Sequence, residues 1–362
     1  MKTKTVAQPP RAGEPALRFG KPSAPWFKAK KWFFDQDREL LAECHRIARL
    51  YTSQPTRTQC KNCEGPLGEA AFHKHGIGYT FCARCGHLNG LHQDSDAFCE
   101  GVYAETETDL YSRAYSSDDR AAYVERRDTI YRPKADFLLD ALRTQGEDVA
   151  RLTFADFGAG SGYFVSALRD AGIPAARGYD VSTTQIRLGN RMIGEEALTQ
   201  HRLEELEALA ESISADVISV VFALEHVQGP RELLAAIARN PHARYAFIAV
   251  PLFSPCAFIE MAFPNFAHRH LACGHTHLYT EQSVNWMCKE FRLEQLAEWW
   301  FGADLIDIYR MIWMSLDRDP NAHGMTQRWE QMMLPVVDAM QLEMDKRKLS
   351  SELHMVVRLP QK

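Results

Sequence analysis

Apolar and polar positions alternate with different periods along the chain, and the period marks the elements. Over residues 35–51 the apolar Leu40, Leu41, Cys44, Ile47, Ala48 and Tyr51 recur every three or four positions, which predicts an amphipathic helix. Residues 1–25 show no such period and are rich in Pro, Gly and Lys, so they predict a flexible tail that docks, if at all, through Trp26 and Phe27. A cysteine-bearing segment runs over 60–99 and a Tyr-rich helical stretch over 103–143. From 151 to 251 the runs LTFADFG, ARGYDV, ADVISVVFAL and YAFIAVP are short and apolar, each followed by a turn or a helical pattern. Strand and helix in regular alternation imply a parallel sheet with helices on both faces. Farther on, the pattern predicts a helix at 281–291, a strand at 292–299, a helix at 325–348 and a last strand at 354–359. The expected fold is α/β, a doubly wound seven-stranded sheet whose last strand pairs antiparallel at the edge, with a small cysteine module on its N-terminal side. Four segments follow: 1–57, tail and amphipathic helix; 58–100, cysteine module; 101–145, helical linker or lid; 146–362, the α/β domain.

Charge and composition narrow the function. The chain has 362 residues and a formal net charge of −5, yet residues 1–59 hold 12 basic and 5 acidic side chains. A mildly acidic body argues against a dedicated nucleic-acid binder, while the basic N-terminal segment keeps that option open. No apolar run approaches the roughly 20 residues needed to cross a bilayer. The first 25 residues have no apolar core of a secretory signal, so the expected location is the cytoplasm. Nine cysteines in that compartment are expected free or metal-bound rather than paired.

Four of them are spaced for a metal. Cys60 and Cys63 form one CxxC, Cys82 and Cys85 a second, with 18 residues between the pairs. Each such turn points two sulfurs at a tetrahedral Zn²⁺, and Gly65 and Gly86 ease the turns. Four thiolates leave no position open for water, so a zinc ion here is expected to be structural. His73, His75, His87 and Cys99 could substitute for a ligand but are less well spaced.

A second signal is an apolar strand ending in Asp156, then Gly158, Gly160 and Gly162, then a helix. Such glycines let the backbone approach a ligand while the helix start offers unpaired N–H groups. Asp180 closes the next strand, 18 residues after Gly162, where a carboxylate can accept both hydroxyls of a ribose. Dinucleotide sites use the same devices, but Tyr163 stands where they need a third close-packing glycine. A third element, a buried strand, closes in Glu225 and His226, which either cap and pack the next helix or face the site. With this order of motifs, residues 135–360 resemble the Rossmann-like class I S-adenosylmethionine-dependent methyltransferases: an acidic residue before GxGxG, and a Leu-Glu-His-Val run like 224–227 after the fourth strand. The resemblance implies S-adenosylmethionine as cofactor. Asp156, Gly158, Ala159, Gly160 and Gly162 would line its methionine end, Asp180 and Val181 would sit at the ribose, and Phe222 or Ala223 would flank the methionine part. The adenine contact falls near Leu203 and Glu204.

The acceptor is less legible. A cysteine knuckle before a methyltransferase domain is similar to bacterial sugar methyltransferases acting on nucleotide-linked deoxysugars. The stretch Cys273-Gly274-His275-Thr276-His277-Leu278-Tyr279-Thr280 resembles a segment in which the carbon-methylating members carry Glu-His, at the places of Thr276 and His277 here. His277 then matches their general base and the glutamate is absent. The expected activity is methyl transfer to a small molecule, most simply a nucleotide-linked sugar, with His277, or else His275 or His226, removing the proton. His268, His270, Cys273, His275 and His277 could instead hold a second metal. Two other readings stay open: an RNA methyltransferase that uses the cysteine module and the basic segment around Trp26, Phe27, Trp32, Phe33 and Phe34, and a silent cofactor-binding scaffold. Carbon, nitrogen and oxygen acceptors, and the oligomeric state, are not distinguished.

Overall fold

The computed structural model describes residues 5–8, 14–29, 32–103, 119–271 and 274–360. The strands are, in chain order, β1 (Val6–Gln8), β2 (Ala16–Phe19), β3 (Phe72–Lys74), β4 (Ile77–Phe81), β5 (Leu88–Gly90), β6 (Phe154–Phe157) and β7 (Ala176–Asp180), then β8 (Leu198–Gln200), β9 (Val217–Val221), β10 (Tyr245–Pro251), β11 (His277–Leu278), β12 (Glu294–Phe301) and β13 (Glu352–Arg358). One nine-stranded sheet runs β1-β2-β12-β13-β10-β9-β6-β7-β8. The run β8-β7-β6-β9-β10 is parallel throughout. Because both faces are covered, these strands are apolar on both: in β10, Tyr245 and Phe247 pack with the helix Arg132–Thr144, whereas Ala246, Ile248 and Val250 pack with the helix Pro230–Arg239.

Six of the seven strands from β6 onward, the short β11 apart, are those the pattern implied; β8 lies in none of its runs, and the ends of the sheet differ from expectation. β13 is not an edge strand: it lies antiparallel between β10 and β12, so its backbone groups are paired along both sides and the buried run Leu353–Val357 never meets solvent as an open edge. Nor is the N-terminal tail structureless. β2 pairs parallel with β12, and β1 closes the sheet antiparallel to β2. What holds β2 is a set of contacts that no periodicity reveals: the Arg18 guanidinium lies 3.9 Å from a Trp299 ring centre, and the Trp299 indole N–H donates to the Gly20 carbonyl at 2.9 Å.

The helix expected at 35–51 is Asp37–Thr52, and that at 281–291 is Glu281–Glu290. The one expected at 325–348 is two, Thr326–Met333 and Val337–Asp345, broken where Pro335 cannot continue the first. The helices Pro255–Ala262 and Asp304–Arg318 were not expected. The Tyr-rich stretch is helical from Arg120 to Thr144 with a π turn at Arg127–Tyr131; its residues 104–118 lie outside the described residues. Among the described cysteines seven are free thiols, while Cys44 is disulfide-bonded, contrary to expectation.

The cysteine module lies at the C-terminal edge of the parallel strands, not on an N-terminal side. Its sheet runs β11-β5-β4-β3, so its fourth strand comes from the α/β domain. Asp37–Thr52 covers it through Ile47, Ala48 and Tyr51, which join Ile77, Tyr79, Leu88 and Leu278 in one core. Two groups of polar ties follow. The Lys61 ammonium donates to the Val227 carbonyl at 2.9 Å, the Asn62 amide to the Ser283 carbonyl at 3.0 Å, and Arg231 to the Asn62 carbonyl at 2.9 Å. Glu260, 1% exposed, accepts from the Lys74 ammonium at 2.5 Å and from the backbone N–H groups of Arg269, His270 and Leu271 at 2.8–3.0 Å.

Removing one partner of a buried pair strands the other charge, so Lys74→Met is expected to lose about 3–5 kcal/mol of stability. Urea unfolding measures this; an unchanged midpoint would mean that the module is anchored by its other contacts.

Candidate functional site

The glycine loop begins where β6 ends. Gly158, Gly160 and Gly162 all have positive φ, at 72°, 53° and 72°. Gly158 has a second reason to be glycine, since a Cβ there would stand 2.4 Å from that of Ala223. A Cβ on Gly160 would meet nothing within 4 Å, so the loop faces open space at that point. The loop is folded back on β7, with the N–H groups of Gly158 and Ala159 donating to the Tyr179 carbonyl at 2.9 and 3.1 Å. The Tyr-rich helix lies against it: the Tyr123 hydroxyl donates to the Ser161 carbonyl at 2.9 Å, and Tyr163 stacks on both Tyr123 and Tyr131 at 4.2 and 5.1 Å.

Two carboxylates flank the loop. Asp156 is 2% exposed and accepts from the Ser219 hydroxyl at 2.6 Å. Burial pushes its carboxyl up to about 7; the Ser219 bond opposes the rise and nearby Asp180 adds to it. Asp180 accepts from the Gly160 N–H at 2.7 Å through one oxygen and from the Ser182 N–H at 2.9 Å through the other. Each oxygen keeps a second lone pair, so two ribose hydroxyls can still be received. Val181 follows Asp180, and Ser182 caps the helix Thr183–Ile193. Glu204 lies in the turn Leu203–Glu205 with Arg202 beside it at 3.4 Å.

At the end of β9 the chain makes a tight turn. Phe222 adopts φ 54°, its N–H donates to the Ala249 carbonyl at 2.9 Å, and the Lys134 ammonium stands 4.4 Å from its ring centre. The turn buries Glu225 to 1% exposure, and among the described residues no other residue hydrogen-bonds either carboxylate oxygen. Burial raises that carboxyl to about 8. His226 keeps 30% of its side chain exposed, its Nε2 3.9 Å from Glu225, and its ring centre is 4.9 Å from that of His275. Burial pushes His226 down to about 4 and His275 well below its ordinary value, so both imidazoles are neutral at pH 7.

His277 stands apart from that opening. It is fully buried in β11, and its Nδ1 lies 2.8 Å from Nε2 of His87, whose Nδ1 lies 3.3 Å from the Ser283 hydroxyl. The structure thus brings His226 and His275 together at a half-open surface and places His277 within the seam between module and domain. Of the five residues considered for a second metal, His268 and His270 turn their Nε2 atoms to the carbonyls of Phe263 and Ser351, and Cys273 lies outside the described residues. The role of Glu225 could be read only from burial, since a Leu-Glu-His-Val run does not reveal that the carboxylate is left unpartnered.

The four cysteines are buried together. Cys60 and Cys85 sulfurs are 3.7 Å apart and those of Cys63 and Cys82 3.4 Å. Zn–S bonds of about 2.3 Å in a tetrahedron require roughly 3.8 Å between sulfurs, so the set fits such an ion. The Asn62 N–H and the Asn89 amide both point at Cys60 Sγ at 3.4 Å, donors suited to a thiolate. Elsewhere a cleft of about 830 Å³ lined by Glu147, Arg244, Arg292 and Arg358 opens where β10 begins, at the opposite end of the parallel strands from the glycines.

Residues 123–298 match a family model described as a methyltransferase domain. No curated protein matches the chain. Among solved structures, magnesium protoporphyrin IX methyltransferase from Synechocystis PCC 6803 with bound SAH is 12% identical, over 55% of this chain and 84% of that one, at TM-score 0.37. A SAM-dependent methyltransferase from Archaeoglobus fulgidus is 14% identical over 66% of this chain and all of that one, at 0.37. Geranyl diphosphate methyltransferase in complex with SAM is 12% identical, over 72% and 95%, at 0.40. Residues 123–298 thus form a methyltransferase domain.

The raised Asp156 carboxyl has a testable sign. A carboxyl with a folded value near 7 and an unfolded value near 4 binds its proton more tightly in the native state, so it lowers stability as pH rises through that window. Asp156→Asn keeps an acceptor for Ser219 and is expected to raise the melting temperature relative to wild type at pH 8 but not at pH 4. An equal gain at both values would show that the carboxyl titrates normally.

Proposed function

We propose that the chain transfers a methyl group from S-adenosylmethionine to a small-molecule acceptor, most simply a nucleotide-linked sugar, in the half-open space beside Glu225, His226 and His275. The observation that carries this reading is where that group stands: three residues past Ala223, which packs on Gly158, and so beside the loop that takes the methionine end of the cofactor. Asp156, Gly158, Ala159, Gly160, Gly162, Phe222 and Ala223 surround that end, Asp180 and Val181 receive the ribose, and Glu204 lies toward the adenine.

The sulfonium supplies the methyl by in-line displacement, so the protein's task is positioning and removal of the acceptor proton. The O–CH₃ bond of a hydroxyl acceptor forms as the S–CH₃ bond breaks, the electron pair returns to sulfur, and the proton passes to the imidazole–carboxylate group. Neutral imidazoles at half-exposed positions can receive it; His277, behind them, sits on a hydrogen-bonded line through His87 to Ser283. The four cysteines hold a structural Zn²⁺ that fastens the acceptor side of the site.

Mass spectrometry after incubation with labelled cofactor, a panel of nucleotide sugars and RNA tests the acceptor class; label in RNA alone would overturn it. Asp180→Ala is expected to weaken cofactor binding ten-fold or more, each lost charge-assisted bond being worth about 1.5–3 kcal/mol. His226→Ala and His275→Ala should lower turnover by roughly 10² to 10⁴ with cofactor affinity kept. Cys60→Ser or Cys82→Ser should release zinc and lower the melting temperature; full stability without the metal would make the ion something other than structural.

A further inference from the structure

We infer that Glu225, His226 and His275 form a binding site for one divalent transition-metal cation, separate from the four-cysteine site. One oxygen of Glu225 and one ring nitrogen of each histidine lie within 4.8 Å of one another. The Glu225 Oε1 to His226 Nε2 distance is 3.9 Å. An ion with bonds of about 2.1 Å keeps neighbouring ligands roughly 3.0–3.4 Å apart. A rotamer adjustment of half an ångström to an ångström therefore closes that pair on a cation.

The second observation is the carboxylate itself. Glu225 is 1% exposed, and among the described residues no other residue hydrogen-bonds either of its buried oxygens. A buried polar group without a partner costs free energy, and native interiors seldom keep one without a reason. Compare Glu260, in the other mixed group of Cys256, Glu260 and His270. Its oxygens already take Lys74 and three backbone N–H groups, and Cys256 donates to Asp307 at 3.0 Å. The carboxylate of that group is satisfied without an ion, although His270 Nδ1 has no partner there, whereas the carboxylate of Glu225 is not satisfied.

The third observation concerns the imidazoles. His275 Nδ1 faces the His270 carbonyl at 3.1 Å, so it carries the proton and leaves Nε2 with its lone pair. His226 also has the Gly274 backbone as a hydrogen-bond partner. A carbonyl on the far nitrogen, as at His275, is how metal-bound histidines are oriented and made better ligands. Two imidazoles and one carboxylate select Mn²⁺, Fe²⁺, Co²⁺, Ni²⁺ or Zn²⁺ over Mg²⁺ or Ca²⁺, which prefer oxygen alone. The partial exposure of His226 leaves an entry path and room for an exchangeable ligand.

A use for the ion rests on the methyl-transfer reading above: a bound cation would polarise an acceptor hydroxyl and lower its pKa. The two imidazoles would then act as ligands, the second Glu225 oxygen and the solvent of the opening taking the proton.

The test is metal uptake by the full chain. After dialysis against a chelator, with retained zinc quantified, calorimetric titration of Mn²⁺ and Zn²⁺ is expected to show one site per chain. Glu225→Gln and His275→Ala should weaken it ten-fold or more, and thermal melts of each variant establish that it is folded. Wild type that takes up none of the five ions beyond the cysteine-bound equivalent overturns the site, as does unchanged binding by folded Glu225→Gln. Parallel transfer assays separate the two readings. Metal bound by a protein that methylates nothing leaves the site standing and sinks the activity; transfer with no metal uptake does the reverse.

Discussion

The arrangement of this molecule depends on one two-residue pairing, β11 with β5, in which His277 is opposite Asn89 and Leu278 opposite Leu88. Through it the cysteine module and the methyltransferase domain share a sheet. Asn89 is itself tied to the cysteines: its side chain donates to Cys60 Sγ at 3.4 Å and accepts from the Lys61 N–H at 2.9 Å. The backbone that carries His275 is thereby fixed to the cysteine knuckle through a short series of hydrogen bonds. Two residues of strand would be marginal alone. Here they are backed by a buried core of Tyr51, Ile77, Tyr79, Leu88 and Leu278.

That seam concentrates buried polar groups, and their states of satisfaction differ in an informative way. Lys61 pairs with Asp94 and with a carbonyl of the domain, and Glu260 is surrounded by donors. His87 and His277 share one hydrogen bond in a fully buried layer. These groups specify how the two parts dock, because a shifted module would leave several charges or imidazoles unpaired at once. Glu225 lies close by and is left out of the network. Single atoms of the seam, such as Asp94 Oδ1 and His277 Nε2, also lack a partner, but among the described residues Glu225 is the buried carboxylate with both oxygens unpartnered by any other residue.

How much of this was legible in the sequence varies with the kind of signal. Four of the five parallel strands were, because each is a short apolar run with a turn behind it, while β8 is too short and polar to show; the glycine loop was, because its three alternate glycines stand between an apolar strand and a helix. The position of β13 was not, since a strand read alone says nothing of its neighbours; its inside place depends on β12 and β2 outside it. β2 itself was hidden among Pro and Gly, being held by Arg18, Gly20 and Trp299 over nearly the whole length of the chain. The paired CxxC turns gave their cluster away by spacing alone. The histidines near 275 were visible as a group, but the partners that sort them were not, for His87 is 190 residues from His277 and the Leu-Glu-His-Val turn some 50 from His275.

The two halves of the proposed site, one for cofactor and one for acceptor, are therefore built on different principles. The cofactor half is local: loop, strand end and Asp180 lie within 25 residues, and backbone geometry alone shapes them. Such a half can be specified by a short motif, and its glycines cannot be exchanged without strain, since all three hold positive φ. The acceptor half is assembled from distant pieces: the turn after β9, the loop before β11, and the cysteine module that pins that loop. Its shape is set by how the module docks, through contacts such as Asn62 to Ser283 and Arg231 to Asn62. Substitutions at the module's docking face should then alter which acceptor is received while leaving the glycine loop and its carboxylates in place. In this chain the cysteine knuckle belongs with the proposed acceptor side because it is the part of the fold that fixes His275 in space.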